Sequence, residues 1–400
     1  MVIVIILAAF VAPGLVGKFK QGGPTGQGGP GTCASLQAGE WTPEQGECPS
    51  TNAETSAKCE EFCVKHPDCC GDRTQGGQPF GGQEKILSLP SAWQIMNLKR
   101  SYPETIKALN EGPNIYTRSL EQKVISDEKL EAIKAVGFNT IQIMLIGKKE
   151  NGQLVFNEAN NAALLNDIVA IKKHGLAVWV ALDIAGGKPG TANVLGNYSD
   201  FKASYLDFTK NSAELMEKYK VEYFTASNEP DKTFKEQKAW SVAEINSNLV
   251  DFFPATNVVA REKFSGKLIN KITQTQRHTK EVVAASFKNV DIAGVDVGPP
   301  MDGRMSLADY KRELDEYQSY ATVAEKAGVP WMNAEYWLGD FEGVGEFAKQ
   351  NELKYAQVSF DAYLKVSPKG AGYTWNDWNT FSLPQGEQMK QAMKEFLNKI

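Results

Sequence analysis

The sequence predicts an α/β fold: a (β/α)8 TIM barrel preceded by a small disulfide-rich module. Three observations carry that reading. Apolar, β-rich runs alternate with helical stretches across residues 85–400, the pattern of a parallel sheet joined by crossover helices. The alternation supplies eight strand segments, which favours a closed barrel. An open doubly wound sheet is the competitor, but no Gly-rich phosphate fingerprint follows any strand. All six cysteines fall before residue 71, ahead of the alternating segment.

From the N-terminus, residues 1–20 open with "MVIVIILAAFVAPGLVG", apolar from Val2 to Val16, with Lys18 and Lys20 after it. The run is short for a membrane span and suits the apolar region of a secretory signal. It lacks a basic region before the run and a clear A-x-A cleavage site, so an uncleaved N-terminal anchor is the second reading. Either way the rest of the chain is expected outside the cell, secreted or tethered to the membrane. Residues 21–31 are a Gly/Pro linker. Residues 32–73 hold Cys33, Cys48, Cys59, Cys63, Cys69 and Cys70. An even, clustered set in an exported chain reads as a disulfide framework. The sequence does not choose the pairing, although adjacent Cys69 and Cys70 are poorly placed to bond to each other. A zinc module using His66 is the rival, weakened by the lack of any C-x-x-C pair. Residues 74–84 are a second, Gly-rich linker, and residues 85–400 form the long domain.

The 400 residues are 42% hydrophobic and 23% charged, with a net charge of −5 and the two signs interspersed. No Lys/Arg cluster offers a footprint for nucleic acid. Apart from His66, weighed above, the histidines are His174 and His278, and neither has a partner at metal-ligand spacing. No catalytic metal and no cofactor is therefore expected.

Within the long domain, the first strand is placed at Trp93–Leu98. Ser126 reads as a helix N-cap, with Asp127 and Glu128 in the first turn, a Leu130/Ile133/Val136 stripe and Gly137 as the stop. "TIQIMLI" follows as a strand buried on both faces. "LAVWVALDIAGG", "VEYFTASNEPD", "GKLINKIT", "VDIAGVDVG", "VPWMNAEYW" and "AGYTWNDW" supply the remaining strands.

Two of these strands end on a carboxylate. "FTASNEPD" puts Asn228 and Glu229 at the end of the fourth strand, and "WMNAEYWLG" puts Glu335 at the end of the seventh. In a barrel the C-terminal strand ends form the site. Paired carboxylates there suit glycosidic cleavage, in which one protonates the leaving oxygen and the other attacks or activates water.

On these residues the chain resembles the clan A retaining glycoside hydrolases, (β/α)8 enzymes that include cellulases, β-mannanases and endo-galactanases. "GFNTIQIML" is similar to the clan's second strand and "GYTWNDW" to its eighth. The resemblance covers about residues 85–400 and implies Glu229 as acid/base, Glu335 as nucleophile and Trp375 as a platform beneath the sugar. It also implies that Asn228 bonds the sugar 2-hydroxyl. Where many members carry Arg on strand 2 and Tyr after strand 6, this chain has Gln142 and "VGPP". The groups that usually orient the nucleophile are thus missing, and a loop residue is expected to replace them.

Asp183, Asp296, Trp337 and Asn333 complete the expected substrate-binding set, with Trp378 as a further stacking candidate. Asn333 shares simple strand parity with Glu335 and is expected to face the barrel interior. Glu229 and Glu335 are expected about 5–5.5 Å apart, with the Glu229 pKa raised by burial and by its neighbour's charge. The function expected is a secreted retaining hydrolase of β-linked polysaccharide or oligosaccharide. A transglycosylase on the same two glutamates and a non-catalytic carbohydrate-binding barrel are the alternatives.

Overall fold

The structure is a computed structural model that describes residues 88–111, 125–146, 148–150, 153–155, 161–183, 195–235, 237, 239–273, 278–297, 306–336, 346–366, 370–376, 378, 381 and 385–400. The signal or anchor segment, both linkers, the Cys-rich module and Trp337 lie outside the described residues.

A short helix, α1 (Ala92–Met96), comes first. The strands are β1 (Ile106–Asn110), β2 (Thr140–Ile146), β3 (Lys148–Glu150), β4 (Gln153–Val155), β5 (Ala177–Asp183), β6 (Tyr223–Asn228), β7 (Lys267–Leu268), β8 (Ile272–Thr273), β9 (Ala293–Asp296), β10 (Trp331–Tyr336) and β11 (Gly372–Asn376). Between them run α2 (Asp127–Val136), α3 (Ala162–Lys173), α4 (Tyr198–Lys218), α5 (Pro230–Lys235), α6 (Val242–Lys263), α7 (Lys280–Ser286), α8 (Leu307–Glu313), α9 (Glu316–Lys326) and α10 (Glu346–Val366), and α11 (Gly386–Leu397) ends the chain.

Nine strands form one parallel sheet in the order β7-β6-β5-β2-β1-β11-β10-β9-β8, with β3 and β4 as a separate hairpin. The two ends of this order are halves of one segment, 267–273. Its first half pairs with β6 and its second with β9. Between them Ile269 bridges Ile292. The sheet therefore curls until its edges meet in a single stretch of chain.

Each strand faces two cores, as alternation dictates. Inside the curl lie Ile106, Ala108, Ala177, Trp179, Tyr223, Ile269, Ile292, Met332 and Ala334. The opposite faces pack under the helices, where α2 presents Leu130, Ile133 and Val136 as its stripe predicted. Ser126 caps α2 by accepting from the Lys129 N–H, and Gly137 ends it at φ 111°.

The expected first strand at Trp93–Leu98 is corrected. Those residues form α1, whose Ser91 and Gln94 make a capping box. Trp93 is 74% and Met96 83% exposed, so the apolar run is a surface feature. The first strand is β1, "IKALN", which pairs with β11 on one side and β2 on the other.

On the outside, His174 joins α3 to α2. Its Nε2 lies 2.8 Å from Asp127 and its Nδ1 2.7 Å from Glu131. The bonds to Asp127 and then Glu131 raise the His174 pKa above its ordinary 6.5. The bond to His174 lowers both carboxyls from their ordinary 3.8 and 4.5. A raised histidine stabilises the fold fully below its unfolded value and loses that effect as pH rises through the folded one; the lowered acids lose theirs as pH falls. The clamp should therefore act most between about pH 4.5 and 6.5, with its strength limited by solvent screening of the exposed carboxylates. Replacing His174 with Ala should remove part of the decline in melting temperature above pH 6.5. An unchanged slope in thermal melts would place that decline elsewhere.

Candidate active site

The site is built by two irregular strands. Along β5 and β6 the partners run Ala181 with Thr225, then Asp183 with Asn228, so β6 gains one residue on its neighbour. Along β9 and β10 they run Val295 with Asn333, then Asp296 with Glu335, so β10 gains one as well. An added residue reverses the facing of everything after it. It turns Glu335 to the same face as Asp296. It also leaves Asn333 on the other face, against the parity expected from the sequence. With its amide turned so that nitrogen rather than oxygen faces these acceptors, Asn333 donates to the backbone carbonyls of Glu335 (3.2 Å) and Val295 (3.1 Å). Asn333 thus holds the irregular turn of β10 together instead of facing substrate.

Glu229 leaves its strand abruptly, with φ at 43°. Left-handed backbone at a non-glycine residue costs about 1–3 kcal/mol, and Pro230 keeps its predecessor out of the ordinary helical region. Pro230 then starts α5, a position where its missing N–H is no loss. The helix is tied down by buried Asp231, which accepts from the Thr273 N–H (3.3 Å), the Thr273 hydroxyl and His278 (2.9 Å). The sequence placed His278 in a polar stretch without a role; the structure makes it part of this bracket.

Glu229, Asp296 and Glu335 converge, with one carboxylate oxygen from each lying within 4.8 Å of the others. Lys271 supplies the positive charge such a cluster calls for. Its side chain is fully buried, and its Nζ bonds Glu335 and lies 3.6 Å from Asp296. Asn376 Nδ2 donates to the second Glu335 oxygen at 2.9 Å. Both oxygens of Glu335 are therefore held. Lys232, one turn into α5, sits 3.0 Å from Glu229.

These charges decide where protons reside. Burial alone pushes the Glu229 carboxyl up, but Lys232 and Lys271 outweigh it and its pKa falls below the ordinary value. The raised pKa expected for Glu229 is thus corrected. Asp296 is driven well above the aspartate range by burial, with Lys271 opposing and the charges of Glu229 and Glu335 adding to it. Burial lowers the Lys271 pKa, yet Asp296, Glu335 and Glu229 together raise it. Burial and the neighbouring negative charge thus favour the protonated form of Asp296.

Other candidates are distributed as follows. Asn228 is 6% exposed, and its Oδ1 makes no hydrogen bond among the described residues. Asp183 is its register partner at the same rim. Trp375 is corrected: it is fully buried in the outer core, against Tyr336, Phe360 and Phe381. On β11 the inward residue is its neighbour Asn376. Trp378 packs edge-on against Phe381 and under Lys390 of α11, away from the acids. The cation against Glu335 is Lys271, which lies between β7 and β8 in the closing segment; the sequence reading did not single it out. Its signal was its spacing: Ile269, Lys271 and Thr273 share one strand face.

Two substitutions separate these roles. Trp375→Ala should cost about 3–5 kcal/mol of stability, as loss of a core aromatic does, seen in denaturant melts; a stable variant with weakened substrate binding would return it to the site. Lys271→Met should lower turnover by about 10²-fold or more, with its fold checked by circular dichroism. Turnover at the level of the unaltered protein would show that Glu335 does not need the ammonium.

No protein-family model and no curated protein matches the sequence. Solved structures do. A Bacteroides ovatus GH5 xyloglucanase, in complex with a XXXG heptasaccharide, superposes with a TM-score of 0.56 at 15% identity, covering 74% of this chain and 75% of that one. A family 5 xyloglucanase from Paenibacillus pabuli gives 0.55 at 13%, over 74% and 99% of the two chains. A GH113 β-1,4-mannanase gives 0.50 at 15%, over 74% and 99%. The fold of this chain is similar to that of these GH5 and GH113 glycoside hydrolases.

Proposed function

We propose that the protein is a secreted retaining glycoside hydrolase acting on a β-linked polysaccharide or oligosaccharide. The observation that carries this reading is the approach of Glu229 and Glu335, with oxygens within 4.8 Å at the ends of two barrel strands. Inverting enzymes keep their carboxyls about 6.5–9.5 Å apart to admit water; retaining enzymes keep them about 5–5.5 Å apart.

Glu335 is the nucleophile in this reading. Lys271 and Asn376 hold its two oxygens, which orients the carboxylate for attack on the anomeric carbon. Glu229 protonates the leaving oxygen and then takes a proton from the incoming water. Asn228 accepts from a sugar hydroxyl in this reading, which is supported by an Oδ1 that makes no hydrogen bond among the described residues. The substrate class is supported by neighbours that act as xyloglucanases and a β-1,4-mannanase. Export is supported by the apolar residues 2–16 and the six clustered cysteines, with release or tethering depending on the fate of residues 1–20.

The test begins with purified protein on mannan, glucan, galactan and xylan, with product sizing. Proton NMR of the first products should show the anomeric configuration kept. Glu335→Ala should abolish turnover, and azide should restore it with an inverted product. Glu229→Ala should spare only substrates with good leaving groups. Inversion by the unaltered enzyme would overturn the mechanism, and no cleavage of any glycan would overturn the activity.

A further inference from the structure

We propose that Asp296 is the proton store of this site, which passes its proton to Glu229 during turnover while Lys271 exchanges Glu335 for Asp296 as its ionic partner. The inference rests on the glycosidase reading and assigns a residue that the two-glutamate scheme leaves idle. Asp296 ends β9 in register with Glu335 and is only 8% exposed. Neither of its oxygens makes a hydrogen bond of ordinary geometry among the described residues. One oxygen nevertheless lies within 4.8 Å of both glutamates. Buried polar atoms left this way call for an explanation.

Lys271 supplies it. The ammonium is fully buried between two acids, bonded to Glu335 and 3.6 Å from Asp296. When a Glu335 oxygen bonds the anomeric carbon, the bond to the leaving oxygen breaks and the carboxylate becomes a neutral ester. Lys271 would then be a buried cation that has lost its bonded counter-charge, a strongly unfavourable arrangement. Asp296 prevents this if it ionises in the same step. Its proton moves to Glu229, and Glu229 delivers a proton to the leaving oxygen, which departs as an alcohol. Before the step the negative charges sit on Glu335 and Glu229; after it they sit on Asp296 and Glu229. The positive charges on Lys271 and Lys232 are constant, so the net charge of the cluster does not change.

The second half reverses the exchange. Glu229 takes a proton from water as the water oxygen bonds the anomeric carbon and the ester bond breaks. Glu335 regains its charge and Lys271, and the proton returns from Glu229 to Asp296. The resting protonation agrees: Asp296 is held above its ordinary range and Glu229 below its own. The charged groups facing Asp296 are Glu229 from the end of β6, Lys271 from the closing segment and Glu335 from β10, with Lys232 behind Glu229.

The test is Asp296→Asn in the full chain, which keeps shape and neutrality but has no proton to give. The probes are 2,4-dinitrophenyl and phenyl β-cellobioside, or the β-mannobiosides if the screen returns mannan. The first leaving group needs no acid and the second does. The ratio of phenyl to dinitrophenyl cleavage should fall by about 10²–10⁴ relative to the unaltered enzyme, the range of acid catalysis. The optimum for the phenyl glycoside should also move to lower pH, because Glu229 must then draw its proton from water. If Asp296→Asn keeps the original ratio and optimum, whatever its absolute rates, Asp296 is a structural neighbour and the store is wrong. The reading beneath it fails separately. In that case the unaltered enzyme would cleave neither probe and would not be labelled at Glu335 by the 2-deoxy-2-fluoro dinitrophenyl glycoside; the inference would fall with it.

Discussion

One buried ammonium governs the arrangement of this site. Three carboxylates packed within 4.8 Å of one another would repel strongly, and in a low-dielectric interior most would simply protonate. Lys271 offsets that repulsion by bonding Glu335 and lying 3.6 Å from Asp296. It needs them equally, since a buried lysine without partners would lose its charge. Lys232 stands beside Glu229 and holds its pKa below the ordinary value with Lys271. Burial still drives Asp296 well above the aspartate range, although Lys271 opposes it.

Backbone irregularity brings the acids to the cation. A regular parallel strand with Met332 and Ala334 inside the curl would have carried both Asn333 and Glu335 out toward the helices. The single added residue in β10 turns Glu335 inward and leaves Asn333 behind, where its amide satisfies the carbonyls that the irregularity disturbs. The added residue in β6 does the same for Asn228, and the left-handed Glu229 completes the turn. On the opposite side, Gly294 leaves room for the closing segment. A Cβ there would meet the Asn270 carbonyl at 2.2 Å, and the Gly294 N–H donates to the Asn270 side chain at 2.9 Å. Any larger residue at 294 would push the segment that carries Lys271 away from Asp296.

These irregularities also mark how far the sequence could be read. The alternation of strand and helix was legible because strands buried on both faces leave continuous apolar runs, as in "TIQIMLI" and "AVWVALD". Glu229 and Glu335 were legible because both sit where such runs stop. Facing was not legible at Asn333, since counting by twos fails wherever a strand gains a residue. Trp375 misled for a related reason: at a strand end an aromatic suits either the rim or the outer core, and only the pairing with β1 and β10 shows that Asn376 has the inward place. The apolar residues of α1 imitated a strand, although Ser91 and Gln94 spelled a helix cap. Lys271 was hidden because a lysine in a strand ordinarily points to water; its inward facing follows only once Ile269 is known to lie inside the curl.

The segment 267–273 is the step at which fold and site become one problem. It joins the two edges of the sheet, through β6 on one side and β9 on the other. Its inward residues are Ile269 in the interior core, Lys271 among the acids and Thr273 on Asp231. Asp231 anchors the helix that follows Glu229, so the segment places the acid as well as the cation. The placing of Glu229 against Glu335 then depends on how the curled sheet meets this segment at both edges. Loops can vary around such a site without moving its charges, because each charge is carried by a strand, or by the first turn after one, that the closing segment holds in place.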